Sequence, residues 1–317
     1  MLPRIDCHRQ HGVVLVVLVT ILGVMALGWL YGQLASRHRA DQATARALAV
    51  AQAALTGRAV ADINHPGSLP CPDTNNDGVA ETTVGQQGGG CPGYIGRVPW
   101  RTLGLSDVRD GVGERLWYAL SSDTRDAQYL AVNSQTAPGV LQVNGNGQLV
   151  AVLLSSDVAL ASQSRDQTNE NVVADFLEGD NANGDNVYEA QTLADASFND
   201  KLLVLSSAGL FRKVERLILQ QMVIKLAQYA GQHNAAYPFA ADASGNAQPN
   251  QLNGFVPYLT LKFAVTDPLV KNNWFTNLAP SPLLPYNVTV GLNKVHINLT
   301  YCYGDMAVTT PMVVQCD

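Results

Sequence analysis

Gly12-Val-Val-Leu-Val-Val-Leu-Val-Thr-Ile-Leu-Gly-Val-Met-Ala-Leu-Gly-Trp-Leu-Tyr-Gly-Gln-Leu-Ala35 decides the fold, because no Asp, Glu, Lys or Arg lies between Arg9 and Arg37. About twenty apolar residues at ~1.5 Å per residue span a hydrocarbon layer of roughly 30 Å. Every backbone N–H and C=O in that layer must be satisfied locally, so the stretch is predicted to be a membrane helix. The chain does not break where the apolar run ends. Arg37 to Ile63 continues in helical character, with Leu48, Ala51, Leu55, Ala59 and Ile63 at helical spacing and Asn64-His-Pro-Gly67 as the stop. One helix of about fifty residues is expected to start in a bilayer and run on into water.

The residues before it are short, polar and basic: Arg4, His8 and Arg9 precede Gly12. A cleaved secretory signal would instead end its apolar run at a small-residue site followed by a polar mature chain. Basic leader, Gly12, apolar segment from Val13 and amphipathic continuation together resemble the type IV prepilin and pseudopilin family. The resemblance implies a leader over 1–12, cleavage after Gly12 by a prepilin peptidase of the membrane, and methylation of Val13. It implies a subunit of a type IV pilus or a type II secretion pseudopilus. Partners would be other pilin or pseudopilin subunits, with a single pass through a bacterial inner membrane and the C-terminal part in the periplasm or on an extracellular fibre. Val17 stands where the family usually carries a glutamate that helps subunits join the filament; within the family that absence is typical of a minor subunit at or near the tip. Helix packing would use small residues such as Gly23, Ala26 and Gly28. The alternative is a signal-anchored periplasmic binding module or enzyme that never assembles. Arginines on both sides of the apolar run leave the positive-inside rule without a preference.

About 280 residues follow the anchor, more than one typical domain. A net charge of −6 argues against nucleic acid as a partner. Cys71 and Cys91 flank a glycine-rich loop, and Cys302 and Cys316 flank the last hairpin-like segment, with Cys7 left over. Two local disulfides suit an oxidising compartment, although spacing alone leaves other pairings open. No His follows at finger-like distance, which argues against zinc.

Between the first two cysteines, Asp73, Asn75, Asp77, Val79 and Glu81 alternate around Gly78. That is the first half of an EF-hand-like calcium loop, with Val84 where the bidentate glutamate belongs. The competing expectation is a loop of Asx turns braced by a Cys71–Cys91 bridge. A second oxygen-rich run, Glu178 to Glu189, has poorer spacing and reads as turns.

The rest alternates as short strands: the segment ending at Leu120, then 128–132, 140–143 and 148–155, the last two joined through Asn144-Gly-Asn-Gly147, and 198–206. Asp110, Gly113, Trp117 and Tyr118 resemble the Asp-Pro-Trp-Gly-x-x-Tyr passage that opens the sheet of major pseudopilins. A second helix is expected over Leu210–Gln232, with Phe211, Val214, Ile218, Met222, Leu226 and Tyr229 on one core-facing side. Strands are then expected over 288–290, 294–301 and 306–314. Gly96-Arg-Val-Pro-Trp-Arg-Thr-Leu103 and Gly254-Phe-Val-Pro-Tyr-Leu-Thr-Leu261 coincide at one offset, and Val108, Asp110, Trp117 and Tyr118 are answered by Val265, Asp267, Trp274 and Phe275. An internal duplication follows. The fold class is therefore α+β: a membrane helix over 13–63, then two tandem pilin-like modules, 64–206 and 207–317, each a helix and a small antiparallel sheet. The second helix is expected to pack on its own sheet.

His38, His65, His233 and His296 are scattered, and no nucleophile elbow, phosphate loop or Cys–His motif appears. No catalytic residue is assigned, the chain is not expected to be an enzyme, and calcium is the one cofactor suggested.

Overall fold

The computed structural model describes residues 10–82, 89–128, 130–191, 195, 197–275 and 285–316, with side chains from Leu15 onward in the first helix and without those of 311 and 312. The leader residues Arg4, Cys7, His8 and Arg9, and Val84 of the candidate calcium loop, lie outside that set.

A single helix, α1, runs over Gln10–Ala61. Its two halves differ in what they touch. From Leu15 to Leu34 every large apolar side chain is exposed, whereas Thr44, Ala47, Leu48, Ala51, Leu55, Thr56 and Ala59 are buried along one stripe. Ile63 does not extend that stripe: the helix has ended and Ile63 is 80% exposed. The Asp62 carboxylate accepts the backbone N–H groups of Asn64 and His65, turning the chain away.

The first sheet comprises β1 (Ile95–Arg97), β2 (Trp117–Leu120), β3 (Leu141–Val143), β4 (Asn146–Ser155), β5 (Val187–Tyr188) and β6 (Lys201–Ser206). β4 is its centre, pairing antiparallel with β2, β3 and β6. The turn between β3 and β4 is Asn144-Gly145 with both φ angles positive, as a two-residue hairpin requires. Among the described residues of 128–132, where a strand is expected, none lies in a strand. The Val132 N–H donates instead to the Asn272 side chain.

After β6, Ser206 caps α2 (Ser207–Gln232) by accepting the Gly209 N–H. A second sheet follows as β7 (Asn253–Gly254), then, after the short helix α3 (Pro268–Lys271), β8 (Tyr286–Val288), β9 (Lys294–Asn298), β10 (Cys302–Ala307) and β11 (Thr310–Cys316). These five strands are antiparallel, in the order β11-β10-β9-β8-β7. The expectation that α2 would pack on its own sheet is too narrow. It contacts β10 and β11 but also α1, β4 and β6, so its buried residues occupy more than one face: Leu210, Phe211, Val214, Glu215, Ile218, Leu219, Met222 and Leu226. One apolar core runs from Leu48 on α1 through α2 to Ile297. A second lies on the opposite face of the first sheet, where Phe176, Leu177 and Tyr188 cover Trp117, Val152 and Leu154. β4 is consequently buried on both faces.

Backbone contacts repeat at the spacing the sequence suggested. Trp100 N–H donates to the Val98 carbonyl and Leu105 N–H to Trp100; Tyr258 donates to Val256 and Phe263 to Tyr258. Gly96 pairs with Tyr118 and Gly254 with Tyr286. The Tyr118 hydroxyl donates to the Pro70 carbonyl at 3.1 Å and the Tyr286 hydroxyl to Pro238 at 2.9 Å. The counterpart of Tyr118 is thus Tyr286, not Phe275. Trp274 and Phe275 lie in the turn after α3.

Candidate functional site

Three regions carry the features from which a function can be argued. The first is the exposed half of α1. It is long and apolar enough to cross a membrane. Val17 is 49% exposed there. An added Cβ at Gly23 or Gly28 would meet nothing within 4 Å, so these glycines answer to no packing need inside the chain. Gly12 and Val13 lie within the helix.

The second is the Asp/Asn loop. Asp73 is 1% exposed, and its carboxylate accepts the N–H groups of Asn75, Asp77 and Gly78, the last at 2.6 Å. Asn75 Oδ1 accepts from Asp77 N–H, Asp77 Oδ1 from Val79 N–H, and Glu81 Oε1 from the Thr74 hydroxyl and N–H. The loop itself thus hydrogen-bonds both oxygens of Asp73, Asn75 Oδ1, and one oxygen each of Asp77 and Glu81. Burial raises the Asp73 carboxyl above its usual range, against the pull of those N–H donors. The Cys71–Cys91 disulfide closes the loop, and a second disulfide joins Cys302 to Cys316 across β10 and β11. The Val79 carbonyl is not among the groups this network engages. In the second run, Asn183 Oδ1 accepts from Asp185 N–H and Asp185 Oδ1 from Val187 N–H, which is turn chemistry.

The third region went unnoticed in the sequence. Arg97, Arg109, Arg115 and Arg165 line a cleft of about 460 Å³ together with Asn76, Glu114, Glu170 and Phe176. Arg97 is 3% exposed, with its guanidinium 3.8 Å above the Trp117 ring and 4.2 Å from Phe176. Desolvation pushes it down to about 9. Its two terminal nitrogens donate to the Arg115 and Glu170 carbonyls. Arg115 grips Asp107 with two nitrogens and Asn76 with the third, and Arg109 shares Asp107. Arg165 donates to the carbonyls of Ser156, Asp157, Asp175 and Phe176. These arginines are struts: their donors tie the 73–81 loop, the 107–115 turn and the 157–176 segment to one another. Four separated arginines in polar, loop-rich sequence gave no pattern from which this could be read.

Among the described residues two histidines face carboxylates: His65 lies 2.9 Å from Asp126, which Arg58 also reaches, and His296 lies 2.8 Å from Asp305. Among the described residues no group of three or more His, Cys, Asp or Glu could hold a metal ion. Comparison with protein-family models, curated proteins and solved structures found no match to this chain. What stands is a long N-terminal apolar helix followed by a β-rich α+β body with two disulfides.

Proposed function

We propose that the chain is a minor pilin-like or pseudopilin-like subunit, processed after Gly12 by a prepilin peptidase and held in a bacterial inner membrane by α1. From there it joins other pilin-like subunits in a type IV pilus or type II secretion pseudopilus, at or near the tip, with its body on the periplasmic or extracellular side. One observation carries the reading. A single unbroken helix exposes apolar surface from Leu15 to Leu34 and, a few turns later, buries one stripe in a sheet. Such a helix serves as an anchor and as a rod that places a folded body at fixed distance from the bilayer. The uncharged Val17 supports a minor place in the fibre. The repeated hydrogen bonds around Val98 and Val256 support two tandem modules, 64–206 and 207–317, the second having lost any need for a membrane segment.

Shearing fibres from the host's cells tests this. The full chain is expected in the sheared fraction in few copies, and a version lacking residues 13–36 is expected to stay out. Full recovery of the truncated version in that fraction would contradict the proposal.

A further inference from the structure

The stretch after β4 covers the outer face of the first sheet with Phe176 and Leu177, which pack with Tyr188 of β5, before the chain re-enters the sheet as β6. What closes it is a pair of buried acids. Asp200 Oδ2 accepts the Glu178 N–H at 3.0 Å and the Asn181 side chain at 2.9 Å. Glu178 Oε2 accepts the N–H groups of Asn199 and Asp200, each at 3.1 Å, and its Oε1 accepts from Gln163 at 2.6 Å. Asp200 is 4% exposed and Glu178 7%. Neither forms an ion pair with a cation among the described residues. Lys201 is turned to Asp41 of α1 and Asp157, and Arg165 to carbonyls and Gln163. Other charged groups on neighbouring segments are acids too: Asp110, which accepts from Ser155, Glu189, whose N–H donates to Asn181, Asp180 in the turn with Asn181, and Asp195, which accepts the Phe198 N–H. Two adjacent buried carboxylates without a cation are untenable as a double charge.

Three buried oxygens of this region have no partner: Asp200 Oδ1, Asn199 Oδ1 and Ser156 Oγ. Ser155 pairs with Lys201, so Ser156 and Asp200 are the next residues across the two strands. A proton on Asp200 removes one of the two charges and gives its carboxyl a donor within hydrogen-bonding reach of Glu178, while Oδ2 keeps both its bonds. We propose that one proton, held by Asp200 beside Glu178, latches the stretch 157–191 to the Asn199–Asp200 entry of β6, so that this stretch loosens as pH rises. Burial, reinforced by Glu178, pushes the Asp200 carboxyl up to about 8. The sign follows from linkage. Between the unfolded value near 4 and about 8 the folded chain keeps a proton the unfolded chain has released, so the latch weakens across that window as pH rises.

Amide hydrogen exchange on the full chain in detergent, corrected for intrinsic rates, reads the latch at Glu178, Asn199 and Asp200. Protection there is expected to fall at least tenfold between pH 6 and pH 9. Asp200→Asn, an uncharged mimic of the protonated acid, is expected to keep its protection at both pH values, and Glu178→Gln to shift the loss to lower pH, because the negative charge that helps Asp200 hold its proton is gone. Protection that is constant in the unmodified chain, or lost equally in Asp200→Asn, would overturn the proposal. So would a loss at pH 9 that millimolar calcium reverses and a chelator restores, since a cation would then hold the pair.

Discussion

Gly78 and Gly245 hold their turns at φ +86° and +79°, and an added Cβ would press into Trp100 at the first and Tyr258 at the second. A side chain at positive φ is strained in either place, and each ring is fixed by its own hydrogen-bonded turn. Gly78→Ala and Gly245→Ala are therefore each expected to cost about 1–3 kcal/mol in urea denaturation. If one is costly and the other neutral, the two turns are not equivalent. At the same scale, the 73–81 loop satisfies its carboxylates with its own N–H groups. Millimolar calcium is accordingly expected to leave the melting temperature within about one degree of that in chelator, since ligand binding to the folded state alone would raise it. A rise of several degrees that Asp73→Asn abolishes would restore the cation to this loop. The residue types around Gly78 were legible as a turn in the sequence; which acceptor each N–H would choose was not, because Asx turns and cation loops use the same residues.

At the scale of elements, α2 shows how a periodic pattern conceals a polar part. Its apolar stripe was legible, but Glu215 sits inside it, fully buried, with its carboxylate accepting the N–H groups of Thr300, Tyr301 and Cys302. A helix glutamate thereby caps the turn between β9 and β10, and burial raises its carboxyl above the usual range while those donors pull it down. Glu215→Ala is expected to cost about 3 kcal/mol, because three buried N–H groups lose a charged acceptor. A loss under about 1 kcal/mol in urea denaturation would show that water replaces the carboxylate. Nothing in the sequence marks Glu215, since an acidic residue in a helix is ordinarily solvated. The hairpin at Asn144-Gly145 is the opposite case: its conformation follows from residue type alone, so it was legible without any tertiary information. In the described part of 128–132 the Val132 N–H is taken by Asn272 in the other half of the chain, a long-range partner that no local pattern announces.

At the scale of the whole molecule, the α+β class and the two-part helix α1 could be read directly, because both rest on composition and period. The way the halves join could not. α2 touches both sheets, so a single core spans what the sequence divides at about residue 206. The arginine cleft was equally invisible, its members lying on β1, on the 107–115 turn and on the 157–176 segment, and meeting only in space. The central claim concerns α1, whose exposed apolar half has no role within the folded body. Intact mass and N-terminal sequencing of the membrane-extracted chain, with and without the host's prepilin peptidase, test it most directly. The account predicts a mature chain beginning at methylated Val13 that disappears when the peptidase is absent. A chain beginning at Met1 in both strains would contradict it and leave α1 as a plain anchor.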